Sequence, residues 1–155
     1  MLNRLPRGIT GFFGDPEAAH AVDPHAFKRA CHLAAQVQNG SIEGIDLNVL
    51  GRSYYGATVR TSVEEVSVVA NCVHPFIAFV PPGHFGMGFP LLNFVEPVSL
   101  ADTFAALTEF RPLSVTWLRS ELDRELLAEL APAELRQLKY WKPQRIGDVI
   151  FNSWD

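Results

Sequence analysis

The sequence predicts an α+β fold: a mainly antiparallel sheet, with helices grouped before and after the central strands. Three observations predict it. Segments of strand character follow one another across residues 42–95, rich in Val, Ile, Phe and Tyr. Their connections are short, which suits antiparallel neighbours. Helical periodicity is confined to one segment before this run and several after it, so the two element types are grouped and not alternating. At 155 residues the chain fits one domain, 1–155. A chain of that length buries roughly 70% of its unfolded surface and needs no staples.

Taken in order, RGITGFF (residues 7–13) alternates well enough for a short strand, its glycines permitting a bend. Gly14-Asp15-Pro16 then stops it. Asp23 is a suitable N-cap and Pro24 suits the first helical position. Phe27, Ala30, Cys31, Ala34 and Val37 share one face at helical spacing, and Asn39-Gly40 supplies a left-handed C-cap. IEGIDLNVL, YYGATVRT, VEEVSVVANCV and PFIAFV read as strands; FGMGFPLLNFV is a candidate return after Pro81-Pro82-Gly83. Ser99 is the expected N-cap of LADTFAALTEF, while LSVTWL reads equally as strand or loop. Ser120 is the expected cap of ELDRELLAEL, with Leu122, Leu126, Leu127 and Leu130 as its apolar stripe. Pro132 opens AELRQLKYW, with Glu134 at the third position but Ala131 a poor cap. Lys142-Pro143 ends that helix, and RIGDVIFN reads as a final strand. Chain ends are usually polar and frayed. Here Val149, Ile150, Phe151 and Trp154 sit beside the end, so the tail is expected to be tied into the core or a partner.

With 48% hydrophobic and 19% charged residues the chain reads as globular. A net charge of −4 argues against nucleic acid as a partner, because phosphate binding relies on Lys and Arg. It favours a basic protein partner instead. No apolar run approaches the ~20 residues of a membrane span, and MLNRLPRG lacks the apolar core of a signal peptide. The expectation is a cytoplasmic protein without membrane contact. Cys31 and Cys72 lack metal-type spacing and read as free thiols, with a disulfide as the alternative.

Each candidate for chemistry has a plainer explanation beside it. Cys72 and His74 lie two apart on an expected strand and so share a face, as a nucleophile and its base would. No third residue that orients the base is identifiable, and a buried thiol near a strand end explains the pair equally. His25 and His32 are about 10 Å apart by helix rise, too far to share one zinc, and no metal motif is present. GHFGMG is followed by Phe89-Pro90 and no helix, so it reads as a turn and not a phosphate loop. Glu121, Glu125 and Glu129 recur every four residues of an expected helix, with Asp123 to one side. This is either a solvated face or a docking stripe for a cationic protein. The acidic pairs near residues 15–17 and 43–46 are further candidates of that kind. No cofactor is implied.

LPRGITGF near one end and YWKPQRIGDVIFNSWD at the other resemble bacterial immunity proteins of polymorphic-toxin and contact-dependent growth-inhibition systems. The resemblance implies an Arg-Gly-Ile-rich opening strand and a close made of a Trp-Lys-Pro turn, a strand and a Trp-Asp ending; Trp141, Lys142, Pro143, Gly147, Asp148, Val149, Ile150, Phe151, Asn152, Trp154 and Asp155 match that close, and HPFIAFV resembles such families more loosely. The matched positions are apolar or turn-forming, so the resemblance concerns the scaffold. It implies a cytoplasmic protein that binds a cognate toxin C-terminal domain and blocks it, without catalysis of its own. The acidic balance suits a basic toxin such as a nuclease, covered at its active site or substrate groove. The rivals are a small enzyme using Cys72 and His74, or a structural adaptor subunit. Neither the contacting surface nor the oligomeric state is implied.

Overall fold

The computed structural model describes residues 2–12 and 22–154. The first helix, α1 (Pro24–Val37), starts where its cap signal places it: the Asp23 carboxylate accepts the His25 N–H at 3.0 Å. Phe27, Ala30, Cys31 and Ala34 are buried, whereas Val37 is half exposed at the helix end. Asn39, at φ 55°, takes the left-handed conformation. Gly40 is needed for a different reason, because a Cβ there would overlap the Arg60 carbonyl.

Four strands follow as an antiparallel meander: β1 (Ser41–Asp46), β2 (Tyr54–Arg60), β3 (Glu65–Asn71) and β4 (Phe76–Val80). A two-residue strand, β5 (Arg111–Pro112), joins β4 in parallel. The fold is thus α+β with a five-stranded, mainly antiparallel sheet. The segment after Pro81-Pro82-Gly83 is no full return strand and contributes one bridge, Val95 to Phe79.

Both faces of the central strands β2 to β4 are covered, whereas antiparallel sheets commonly leave one face to water. Tyr55, Ala57, Val59, Val66, Val68, Ala70, Ile77 and Phe79 project from one face. They pack against α1 and α2 (Val98–Leu107). Tyr54, Val69, Phe76, Ala78 and Val80 project from the other. That second face is closed by Leu5 and Ile9 from one end of the chain and by residues 113–154 from the other.

Several elements differ from expectation, each for a local reason. RGITGF forms turns and no strand: Gly8 and Gly11 sit at φ 92° and 83°. Phe13, the Gly14-Asp15-Pro16 stop and the acidic pair of residues 15–17 lie outside the described residues. Helix α2 begins at Val98 with Pro97 as cap, so Ser99 lies inside its first turn. LSVTWL is neither strand nor loop. It contains the short helix α3 (Val115–Leu118), and the Ser114 hydroxyl accepts the Trp117 N–H. The expected helix over 121–130 is a chain of turns with bonds from Leu127 to Arg124, Ala128 to Glu125 and Leu130 to Leu127. Two competitors displace the helix there. Asp123 Oδ1 accepts the Leu126 N–H at 2.8 Å, and the Leu126 carbonyl accepts the Leu5 N–H at 2.8 Å. Helix α4 (Pro132–Trp141) forms as expected and ends at Lys142, at φ 52°. RIGDVIFN is no strand but a helical turn, α5 (Ile146–Ile150), with Ile146, Val149, Ile150 and Phe151 all buried.

The chain ends are stitched together by buried polar groups. The Glu134 carboxylate is wholly buried and accepts four hydrogen bonds. They come from Gly8 N–H, Thr10 N–H, Thr10 Oγ1 and Ala131 N–H at 2.7–3.1 Å. Ala131 has no side-chain acceptor, so only the Glu134 half of a capping box exists. Asn71 Nδ2 donates to the Ile9 and Ile150 carbonyls, and Asn152 Nδ2 to those of Thr10 and Val149. Among the described residues no buried side-chain polar atom lacks a partner.

Candidate functional site

Cys72 follows the end of β3, at a turn closed by Asn71 Oδ1, which accepts the Val73 and His74 N–H groups. His74 Nε2 lies 2.9 Å from the Arg7 carbonyl. A carbonyl only accepts, so Nε2 carries the proton. Burial pushes the Cys72 thiol up to about 11, so it is protonated at neutral pH, unlike an activated nucleophile. Cys31 is also free, and burial pushes its thiol well above the usual range. Among the described residues no cluster of three His, Cys, Asp or Glu side chains is placed to hold a metal. No helix among them is long and apolar enough to cross a membrane.

The acidic residues proposed from sequence keep their exposure but lose their stripe, which required a helix. Glu121 forms a backbone bridge with Arg145. Asp123 is occupied by the Leu126 amide, and Glu129 pairs with Arg4 at 2.7 Å. Glu125 is exposed, as is its neighbour Arg124. The segment therefore presents fewer free charges, less regularly spaced, than periodicity suggests. The second acidic group is also partly paired: Glu43 lies 3.6 Å from Arg60, and Asp46 lies 3.2 Å from Arg52.

A more developed surface lies where three remote segments meet. The loop after β1 carries Val49, Leu50 and Gly51. The GHFGMG loop and its continuation carry Met87, Pro90 and Leu91. The third segment is the end of α4 together with the tail, Trp141 to Trp154. A cleft of about 400 Å³ lies between the first two, lined by Asp46, Leu50, Arg52, Met87, Pro90 and Ser153 among others. A second, of about 440 Å³, is lined by Pro90, Leu91, Trp141, Pro143, Arg145 and Trp154 among others. Pro90 and Ser153 belong to both. A third, of about 250 Å³, joins them through Gly51, Arg52 and Trp154.

The walls of this surface are held firmly. Trp141 stacks on Trp154 with ring planes 4° apart. Arg145 makes a bidentate pair with Asp148 and lies over the Phe94 ring. Arg52 lies over the Tyr54 and Phe85 rings and donates to the Tyr54 and Asp46 carbonyls. The Gly86 amide donates to Tyr54 Oη, and His84 stacks on Phe89. GHFGMG is thus a structured turn, with Gly83, Gly86 and Gly88 at positive φ. Periodicity gives no signal for this surface, because its residues come from three loops remote in sequence. The one local hint is a methionine between two glycines.

No family model, curated protein or solved structure matches the chain.

Proposed function

We propose that this protein is an immunity protein that binds a cognate toxin domain, of nuclease type, and neutralises it by covering its active site or substrate groove. One observation carries the reading. The two segments that resemble such proteins, LPRGITGF and YWKPQRIGDVIFNSWD, lie far apart in sequence yet fold into one unit. Leu5 and Ile9 share a core with Ile146, Val149, Ile150, Phe151 and Trp154. Asn152 bonds to Thr10, and Asn71 joins Ile9 to Ile150. Both segments are held in one core, as parts of one scaffold would be, although RGITGF forms turns and RIGDVIFN a helical turn where the resemblance implies strands. A net charge of −4 is compatible with a basic, nucleic-acid-cleaving partner. A stable complex of this kind buries about 1,200–2,000 Å² in total.

The test is to read the gene directly upstream and, where it encodes a large secreted protein with a variable C-terminal domain, to co-express that domain with this chain. The expected result is protection of the cells and inhibition of the purified domain at one-to-one stoichiometry. The absence of both protection and binding would refute the reading. Cys72→Ala is expected to protect as well as the wild type. Inhibition by far less than one equivalent, lost in Cys72→Ala with the fold intact, would favour an enzyme instead.

A further inference from the structure

We infer that Asn39 is a site of covalent self-modification, in which the backbone nitrogen of Gly40 displaces the Asn39 side-chain amide, and that the cap of α1 holds this reaction off until the cap opens. The chemistry needs no partner, so it stands whether or not the chain binds a toxin.

Asn39-Gly40 is the one Asn-Gly pair in the chain. The fold calls for both residues. Asn39 carries the left-handed turn at φ 55°, which asparagine tolerates better than most residues with a side chain. Gly40 passes so close to the Arg60 carbonyl that no side chain fits there. The pair is reactive by its chemistry, because glycine leaves its own nitrogen unscreened. Attack of that nitrogen on Asn39 Cγ closes a five-membered ring. Asn39 is also exposed to the water that completes the reaction.

Water is the one outside reagent the step needs. The Gly40 nitrogen, on losing its proton, bonds to Asn39 Cγ. The Cγ–Nδ2 bond breaks, and the amide takes up that proton and leaves as ammonia. The cyclic imide then adds water at either carbonyl. One opening gives aspartate. The other gives isoaspartate, in which the main chain runs through Cβ and is one carbon longer.

The closed cap opposes the first step. The Gly40 N–H donates to the Ala35 carbonyl at 2.7 Å, and the Asn39 N–H to the Gln36 carbonyl at 3.1 Å. These are the two crossed bonds of a Schellman cap. The bond to Ala35 holds the proton that the nitrogen must lose. Ring closure also turns the peptide plane between the two residues. Gly40 is fixed against that turn by Ala35 on one side and by the start of β1 on the other, where Ser41 pairs with Arg60. Helix ends fray more readily than the core, so this cap opens locally without global unfolding.

The product cannot rebuild the cap. The extra carbon of isoaspartate prevents the two cap bonds and the Ser41–Arg60 register from being met together. Either product places a carboxylate at the C-terminus of α1, where negative charge is unfavourable. The last turn of α1 has no basic residue to offset it. Each opening that leads to reaction is therefore recorded permanently in the junction that joins α1 to the sheet.

Peptide mapping by mass spectrometry follows every asparagine of the full chain at neutral pH, with and without guanidinium chloride. Asn39 is expected to convert first in both conditions, and at least about tenfold more slowly in the native chain. An isoaspartyl methyltransferase is the probe for the isoaspartate product. Asn39→Gly keeps the left-handed cap and is expected to melt like the wild type, with no methyl acceptor formed at this position. The aged chain, separated by its added negative charge, is expected to melt below the fresh chain and to lose hydrogen-exchange protection at the Gly40 amide. Failure of Asn39 to convert in the unfolded chain, or conversion of another asparagine ahead of it, overturns the site. Equal rates in the native and unfolded chains overturn the protection by the cap. An aged chain with unchanged melting and Gly40 protection overturns the loss of the cap.

Discussion

Deleting residues 146–155 is expected to abolish cooperative folding. Ile146, Val149, Ile150 and Phe151 are at most 2% exposed, and each contributes about 1.5–3 kcal/mol by burial. Their removal also uncovers Phe94, Leu118 and Tyr54, which pack against them. The polar losses add to this: Ser53 loses its bonds to Ile150 and Asn152, and Asn71 loses its bond to Ile150. Against a total stability of roughly 5–15 kcal/mol, no folded state survives. Circular dichroism and thermal melting check this. A truncated chain with the wild-type transition would refute it.

Glu134→Ala is expected to cost about 3–5 kcal/mol, because several buried donors lose their acceptor at about 1–3 kcal/mol each and some relax. The substitution leaves Gly8 N–H, Thr10 N–H, Thr10 Oγ1 and Ala131 N–H facing a cavity. Unsatisfied buried donors are expensive. For a chain of this size the melting temperature falls by about 2–4 °C per kcal/mol, so a drop on the order of 10 °C is expected. Glu134→Gln is expected to be intermediate, since one accepting oxygen becomes an NH2 that faces other donors. Glu129→Ala is the control, because its pair with Arg4 is half exposed and is worth less than about 1 kcal/mol. Melting curves that rank Glu129→Ala as the more damaging would overturn this account of the buried carboxylate.

Elements whose signals are local were legible in the sequence. Asp23-Pro24 fixes the start of α1, and β-branched runs with short turns give the meander from β1 to β4. Elements decided by distant partners were not. In RIGDVIFN the apolar residues Ile146, Val149 and Ile150 fit helical spacing as well as a strand. The helix is favoured where Gly147 approaches the Phe94 ring so closely that a side chain would collide with it. In ELDRELLAEL the leucines have helical spacing, but Leu5 takes the Leu126 carbonyl that the next helical turn would need. The first segment has the local pattern of a strand, because nothing local shows that Glu134 takes the Gly8 and Thr10 amides. The burial of the tail was legible from its composition. The three-loop surface was not, because its residues become neighbours only through tertiary packing.

The two-faced sheet has a kinetic consequence. One face is packed largely by nearby chain, α1 against the meander that directly follows it. The other waits for segments whose closing bond, Asn152 to Thr10, spans 142 positions. Loop closure over such a separation must precede the contacts that reward it, and folding slows with mean contact separation. The chain is therefore expected to assemble in two stages, with α1 and the meander first and the joined ends last. Pulsed hydrogen exchange during refolding would resolve them, the β2 and β3 amides gaining protection before those of Leu5, Thr10 and Asn152. Simultaneous protection of both sets would show a single concerted step. Until the second stage is complete, one whole apolar side of the sheet faces water, and that interval is when the chain is most exposed to aggregation.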